Sequence, residues 1–116
     1  MKKYLLRFRK GNKDSEYSFR AIKRGRKKVE TRAASERYRR IQSGDVLVFV
    51  CGREKVEKLV KRLRVFKSIP AMLRVYRVKD IMPDRDSPRE LKAAYESYHG
   101  YREKIKKFGL VAFELA

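Results

Sequence analysis

The sequence predicts an α+β protein, a small β-barrel of about five strands with inserted and flanking helices. Three observations lead there. Tyr4–Phe8, Asp45–Val50 and Leu110–Leu115 are strand-length runs rich in apolar residues, and Val29–Arg32 is a short strand after a glycine turn. The segments between them space apolar residues for one helical face and open on Ser or Ser-Pro start signals. Glycines at 11, 25, 44, 52, 100 and 109 fall at the junctions.

Taken in order, Tyr4–Phe8 reads as a strand and Lys10–Lys13 as a loop. Asp14 or Ser15 caps a helix with Phe19 and Ile22 on its apolar side, ended by Gly25. Val29–Arg32 is a strand, and Ser35 caps one helical turn through Tyr38 towards Ile41. Asp45–Val50 is a buried strand, turned by Gly52–Glu54. Lys55–Phe66 is ambiguous: Val56, Leu59, Val60 and Leu63 have helical spacing, whereas Leu59, Lys61, Leu63 and Val65 alternate like a strand. Ser68–Lys79 is expected to be one helix with Pro70 in its first turn and Met72, Leu73 and Tyr76 on one face. After a loop at Met82–Asp86, Ser87 and Pro88 start a helix that runs through Leu91, Ala94 and Tyr95 towards Tyr98. Gly100 stops it. A short basic helix, Tyr101–Phe108, precedes the last strand, Leu110–Leu115. The two terminal strands are expected to pair with one another or with neighbours. The length, 116 residues, fits one domain over 1–116.

Charge narrows the function. Lys and Arg number 33 against 14 acids, a net charge of +19. Such an excess repels itself unless a polyanion neutralises it, so nucleic acid is the expected partner. Heat adaptation is the competing explanation. Charged residues make up 41%, Trp is absent, and Asn12 and Gln42 are the only side-chain amides. Heat adaptation raises both signs of charge, however, and leaves the excess unexplained. Cys51 is the lone cysteine and reads as a small core residue. No signal peptide is legible and no run reaches the roughly 20 apolar residues that span a bilayer, so no membrane partner and a cytoplasmic location are expected.

One stretch carries the strongest signal. Gly25-Arg-Lys-Lys-Val-Glu-Thr-Arg32 leads from a glycine turn into a strand, and Ser43-Gly-Asp-Val-Leu-Val-Phe-Val50 launches the next. Alternation puts Lys28, Glu30 and Arg32 on one face and Val29 and Thr31 on the other, with Val29 inward. Lys27 joins Glu30 and Arg32 only if the chain bends beside Gly25, where positive φ is allowed. A Glu between cations stays ionised and can orient them. The structural alternative is a surface ion-pair cluster of little consequence.

The order of these residues resembles the ASCH domain family, relatives of the PUA RNA-binding fold. Its pattern G-x-K-x-x-E-x-R, a spacer, then G-D and an apolar strand is met by Gly25, Lys27, Glu30, Arg32, Gly44 and Asp45. The resemblance implies a PUA-like barrel with a strand in the second half of Lys55–Phe66. It also implies RNA binding in a cleft around Lys27, Glu30 and Arg32. Some family members hydrolyse acetylcytidine with the motif lysine as base, a threonine three residues later as nucleophile and a distal glutamate as acid. Lys27 matches that lysine, but Glu30 stands at the nucleophile position, with Thr31 one residue later. The distal acid would fall near Asp80, Asp84 or Asp86.

Basic residues interleaved with aromatics extend the candidate nucleic-acid surface. Arg20, Lys23, Arg24, Arg26, Lys27 and Lys28 surround the motif, and Arg37, Tyr38, Arg39 and Arg40 follow it. Tyr98, Tyr101 and Arg102 form another group, beside His99, Lys104, Lys106 and Lys107. Cations track phosphates and aromatic rings stack on unpaired bases. Tyr38, Tyr95 and Tyr98 equally suit the rim of a core, with the hydroxyl in water. Tyr101, after a glycine, is the ring expected to be exposed. His99 has no partner for a triad or a metal site, and no metal or cofactor is expected. The expected function is RNA binding, single-stranded or structured, with single-stranded DNA as a second possible partner. The alternatives are an enzyme acting on modified nucleosides, a weak ribonuclease using Lys27 and Glu30, or a ribonucleoprotein assembly factor that contacts protein.

Overall fold

A computed structural model describes residues 1–116. The strands are β1 (Lys3–Phe8), β2 (Val29–Ala33), β3 (Val46–Cys51), β4 (Glu54–Phe66) and β5 (Leu110–Leu115). The helices are α1 (Lys13–Lys23), α2 (Glu36–Arg39), α3 (Ile69–Leu73), α4 (Val78–Ile81), α5 (Pro88–Ser97) and α6 (Tyr101–Phe108). The five strands form one curled, half-open barrel in the order β1-β3-β4-β5-β2, so the fold is the α+β, PUA-like architecture expected. The terminal strands do not pair with one another. β1 lies parallel to β3, and β5 sits between β4 and β2, antiparallel to both.

β4 explains the ambiguous stretch. All 13 of its residues are strand. Its first half pairs with β3 and its second half with β5, and the register shifts between Val60 and Arg62. Val56 and Val60 pack inward before the shift and Leu63 after it. A strand that changes inward parity at an irregularity places these residues four and three apart, which imitates a helical stripe. Leu59, the other member of that stripe, is 44% exposed.

β5 divides two cores by its alternation. Val111 and Phe113 face a cluster with Leu6, Phe19, Ile22, Leu47, Phe49 and Val60, which α1 covers. Leu110 and Ala112 face a second cluster with Val29, Met72, Ile81, Leu91 and Tyr95, which the later helices cover. Successive strand residues point to opposite faces, so burying both faces gives the continuous apolar run Leu110–Phe113.

Three local expectations need correction. α1 begins at Lys13, because Asn12 and not Asp14 or Ser15 supplies the cap: its Oδ1 accepts from the Ser15 N–H at 3.0 Å. Ser68–Lys79 is two short helices and not one. α3 ends after Leu73, Tyr76 turns inward to donate its hydroxyl to Glu114 at 2.6 Å, and Asp80 accepts from the Arg77 N–H at 3.3 Å to start α4. The apolar spacing of Met72, Leu73 and Tyr76 runs straight through this break and hides it. Ser35 precedes α2 but makes no side-chain cap bond. Ser87 caps α5, as expected, and Ser68 caps α3.

Gly109 joins α6 to β5 at φ +77°, and a Cβ there would lie 2.3 Å from the Phe66 carbonyl oxygen. Gly100 has a similar φ, +71°, but open space around it. Gly100→Ala is therefore expected to destabilise by about 1–2 kcal/mol, for the left-handed backbone alone. Gly109→Ala should lose about 1–3 kcal/mol more, for the forced shift of backbone. Chemical denaturation of both variants tests this, and equal losses would contradict it.

Candidate functional site

The turn after α1 sets up the site. Gly25 adopts φ +77°, and the N–H groups of Arg26 and Lys27 both donate to the Ala21 carbonyl. The chain thus bends beside Gly25, and Lys27 swings inward to 6% exposure while Lys28 stays outside. The expected face of Lys28, Glu30 and Arg32 is corrected accordingly: Lys27 takes the place that strand alternation gave to Lys28. Lys27 Nζ donates to the Ile81 carbonyl and lies 3.4 Å from Glu30 Oε1.

Glu30 is fully engaged. Its Oε1 also accepts from the Thr31 N–H at 3.1 Å, and its Oε2 accepts from Arg32 Nε at 3.2 Å and Nη2 at 3.1 Å. A carboxylate has about four acceptor directions, and all are taken. Glu30 therefore orients two cations and offers little to a ligand. Burial favours the neutral acid, but the charges of Arg32 and then Lys27 outweigh it and hold Glu30 below the ordinary 4.5. Burial dominates at Lys27 and pushes its ammonium below the ordinary 10.5, with Glu30 opposing. Arg32 is held further by rings: its guanidinium carbon lies 5.3 Å from the Phe8 centroid and 5.8 Å from that of Tyr38. Two cations around one carboxylate leave the trio with a net charge of +1.

The trio opens into a cleft of about 200 Å³. Tyr98 and Tyr101 form its far wall with Tyr95, and Met82, Phe8, Arg7 and the start of α1 complete it. The three tyrosines recur every third residue across the α5–α6 corner. Tyr95 and Tyr101 stack at 6.2 Å, and Tyr98 stands edge-on to both. β2 fastens them: the Tyr95 hydroxyl pairs with Thr31 Oγ1, and the Tyr101 hydroxyl accepts from the Ala33 N–H at 3.0 Å. Tyr101 is consequently half-buried and not the exposed ring expected. Thr31 faces away from Glu30 as expected, towards Tyr95, yet both line the same cleft. Burial, then the Asp14 and Glu30 charges, push the Tyr98 hydroxyl up to about 12, so it remains a neutral donor.

The other candidates are dispersed. Arg24, Arg26 and Lys28 are exposed around the turn with no acidic partner, while Arg20 pairs with Glu16 and Lys23 with Glu54. Arg37 lies over Tyr38, and Arg40 approaches Glu36 at 3.9 Å. Arg39 is structural, donating to the Ala34 carbonyl at 2.6 Å and the Phe108 carbonyl at 3.2 Å. Arg102 belongs to a different groove. Asp80 caps α4, Asp86 pairs with Lys79 and Asp84 with Arg85 at 3.5 Å; of the three, Asp84 is the one whose charge acts on Lys27. Asp45 of the G-D turn is architectural, accepting from the Lys2 N–H at 3.0 Å and the Gln42 N–H at 2.8 Å. Sequence reading missed Arg7, Phe8, Ser15, Ser18 and Met82. No local pattern marks them, because β1, α1 and the loop after α4 reach the cleft only through tertiary packing.

Glu30→Gln removes the charge that offsets two buried cations and is expected to destabilise by about 3–5 kcal/mol at neutral pH. The folded pKa of Glu30 lies below its unfolded value. Its stabilisation is therefore complete above about pH 4.5 and lost as pH falls through the folded value. The gap between wild type and Glu30→Gln should narrow on acidification, as read by urea denaturation at a series of pH values. A constant gap would contradict the ion-trio account.

The ASCH domain model matches residues 14–116. No curated protein matches the chain. Two solved structures are similar over nearly the whole length. The crystal structure of hypothetical protein PH0355 is 31% identical with a TM-score of 0.76, over 99% of this chain and 97% of that one. The solution NMR structure of protein PF0455 from Pyrococcus furiosus is 32% identical with a TM-score of 0.70, over 95% and 96%. Together with the Gly25–Arg32 turn and strand and the half-open barrel, these matches establish that the chain belongs to the ASCH domain family.

Proposed function

We propose that the protein binds RNA, with one unpaired nucleotide unit in the Lys27–Arg32 cleft and neighbouring phosphates on the exposed cations around Gly25. The observation that carries this is the buried trio with net positive charge, whose one carboxylate is engaged by both cations and the Thr31 N–H. What such a site still offers is donors: the remaining Lys27 and Arg32 hydrogens and the Tyr98 hydroxyl. The trio therefore favours a ligand with acceptor oxygens, as a phosphate or a base carbonyl has, while Asp14 on the α1 side is the cleft's other carboxylate. The ring of Tyr98, half-buried at the cleft wall, adds a surface on which an unpaired base can pack. The cleft is too small for a duplex, which favours single-stranded or looped RNA. The general association of the family with RNA binding supports the same reading, and the charge of +19 supports a polymer over a lone nucleoside.

A hydrolytic reading has one observation in its favour. Lys27 is buried with its pKa lowered, beside a cleft that also holds Thr31. Glu30, held ionised by its cations, is a poor base, so Lys27 would have to act there. Steady turnover of acetylcytidine that disappears in Lys27→Ala would favour this reading over simple binding.

Fluorescence anisotropy with a labelled single-stranded oligoribonucleotide tests the binding reading. Log affinity should fall linearly with log salt, by about 0.7 for each phosphate neutralised. Lys27→Ala should weaken binding by about 10–100-fold, the scale of a buried charge-assisted hydrogen bond. Arg26→Ala should weaken it only a few-fold while flattening the salt slope. Equal losses from the two variants would remove any special role for the cleft.

A further inference from the structure

A second groove lies on the other side of α5. It is larger, about 760 Å³, and is formed by α3, α5 and α6. Its floor is aliphatic: Ile69, Pro70 and Leu73 from α3, Pro88 from the start of α5, and Ile105 from α6. Lys67, Arg89, Lys92, Arg102 and Lys106 stand around it, with Glu96 the only acid. All five cations are exposed, and none makes a salt bridge or hydrogen bond within the chain, unlike Lys3, Lys23, Lys79 and Arg85 elsewhere on the surface. Arg89 and Lys92 come from α5, Arg102 and Lys106 from α6, and Lys67 from the turn between β4 and α3, so a bound partner would meet positive charge on more than one side.

We propose that this groove binds an acidic amphipathic helix of a partner protein. The aliphatic floor supplies anchor positions and presents no open aromatic face; its one tyrosine, Tyr95, is 2% exposed. Nucleic acid bound without base pairing needs such faces. A helix satisfies its own backbone hydrogen bonds and brings apolar residues at i, i+3 and i+4, which suits an apolar trough between helices. α5 and α6 have 10 and 8 residues, so the trough accommodates about two to three turns at 1.5 Å per residue. Five unpaired cations call for several carboxylates and not the single head group of a fatty acid. A second copy of this chain, at +19, brings the wrong sign. The proposal is independent of the RNA reading, because it uses no residue of the Lys27 cleft except the buried ring of Tyr95.

The test uses a fluorescein-labelled synthetic helix with leucines at i, i+4 and i+7 and glutamates on both flanks, titrated with the full chain at physiological salt. Lys92→Glu/Arg102→Glu should weaken binding at least about tenfold, the loss expected when local charge complementarity is reversed. Arg53→Glu/Lys55→Glu, with the same net charge but at the β3–β4 turn, should change it less than about twofold, because screening limits distant charges. A peptide with serines for the leucines should not bind. Equal losses from both charge pairs, or binding that survives the serine replacement, would overturn the proposal as mere attraction to a basic protein. Displacement of the peptide by dodecanoate, or by an oligoribonucleotide that is itself weakened by Lys92→Glu/Arg102→Glu, would also overturn it and give the groove to that ligand.

Discussion

The site depends on one constraint: a carboxylate placed where two cations are buried. Glu30 lies on β2 between the two cores, and Lys27 and Arg32 both close on it. Neither cation is tolerable at that depth alone, since burying an unpaired charge is costly. Once paired, they are held rigidly, by the Ile81 carbonyl on one side and the rings of Phe8 and Tyr38 on the other. A buried pair is weak evidence for stability, because an apolar replacement is often as stable. Its persistence here fits a functional demand for fixed donors facing a cleft.

The fold delivers those donors through ordinary means. Gly25 turns Lys27 inward, β2 pairs with β5, and β5 separates the two cores by simple alternation. The tyrosine wall is tied to β2 through Thr31 and Ala33. The same α5 that carries Tyr95 to the cleft turns its other face to the second groove, so one helix borders both surfaces. A ligand in either place would press on a shared element.

Much of this was legible in the residues. Four of the five strands and most helix starts follow from apolar runs, glycines and Ser-Pro signals, and the trio follows from the family motif at Gly25, Lys27, Glu30 and Arg32, since alternation alone put Lys28 beside Glu30 and Arg32. What escaped depended on long-range contact. The parity switch in β4 makes Val56, Val60 and Leu63 look helical. Tyr76 leaves its stripe to reach Glu114, 38 residues away, and so splits an expected helix. Tyr101 looked exposed beside Gly100, yet an N–H of β2 draws its hydroxyl inward. The basic surface was read from sequence as two patches, one around the motif and one from Tyr98 to Lys107. Folding divides it between the Gly25 turn, the structural Arg39 and the second groove.

The most direct measurement is the titration of the Lys27 ammonium by NMR in the free protein and with saturating oligoribonucleotide. The free group should titrate below its ordinary 10.5, because burial dominates. Acceptor oxygens entering the cleft favour its charged form, so bound RNA should move the value up. Binding that saturates while Lys27 titrates unchanged would place the RNA elsewhere and contradict the assignment of the cleft.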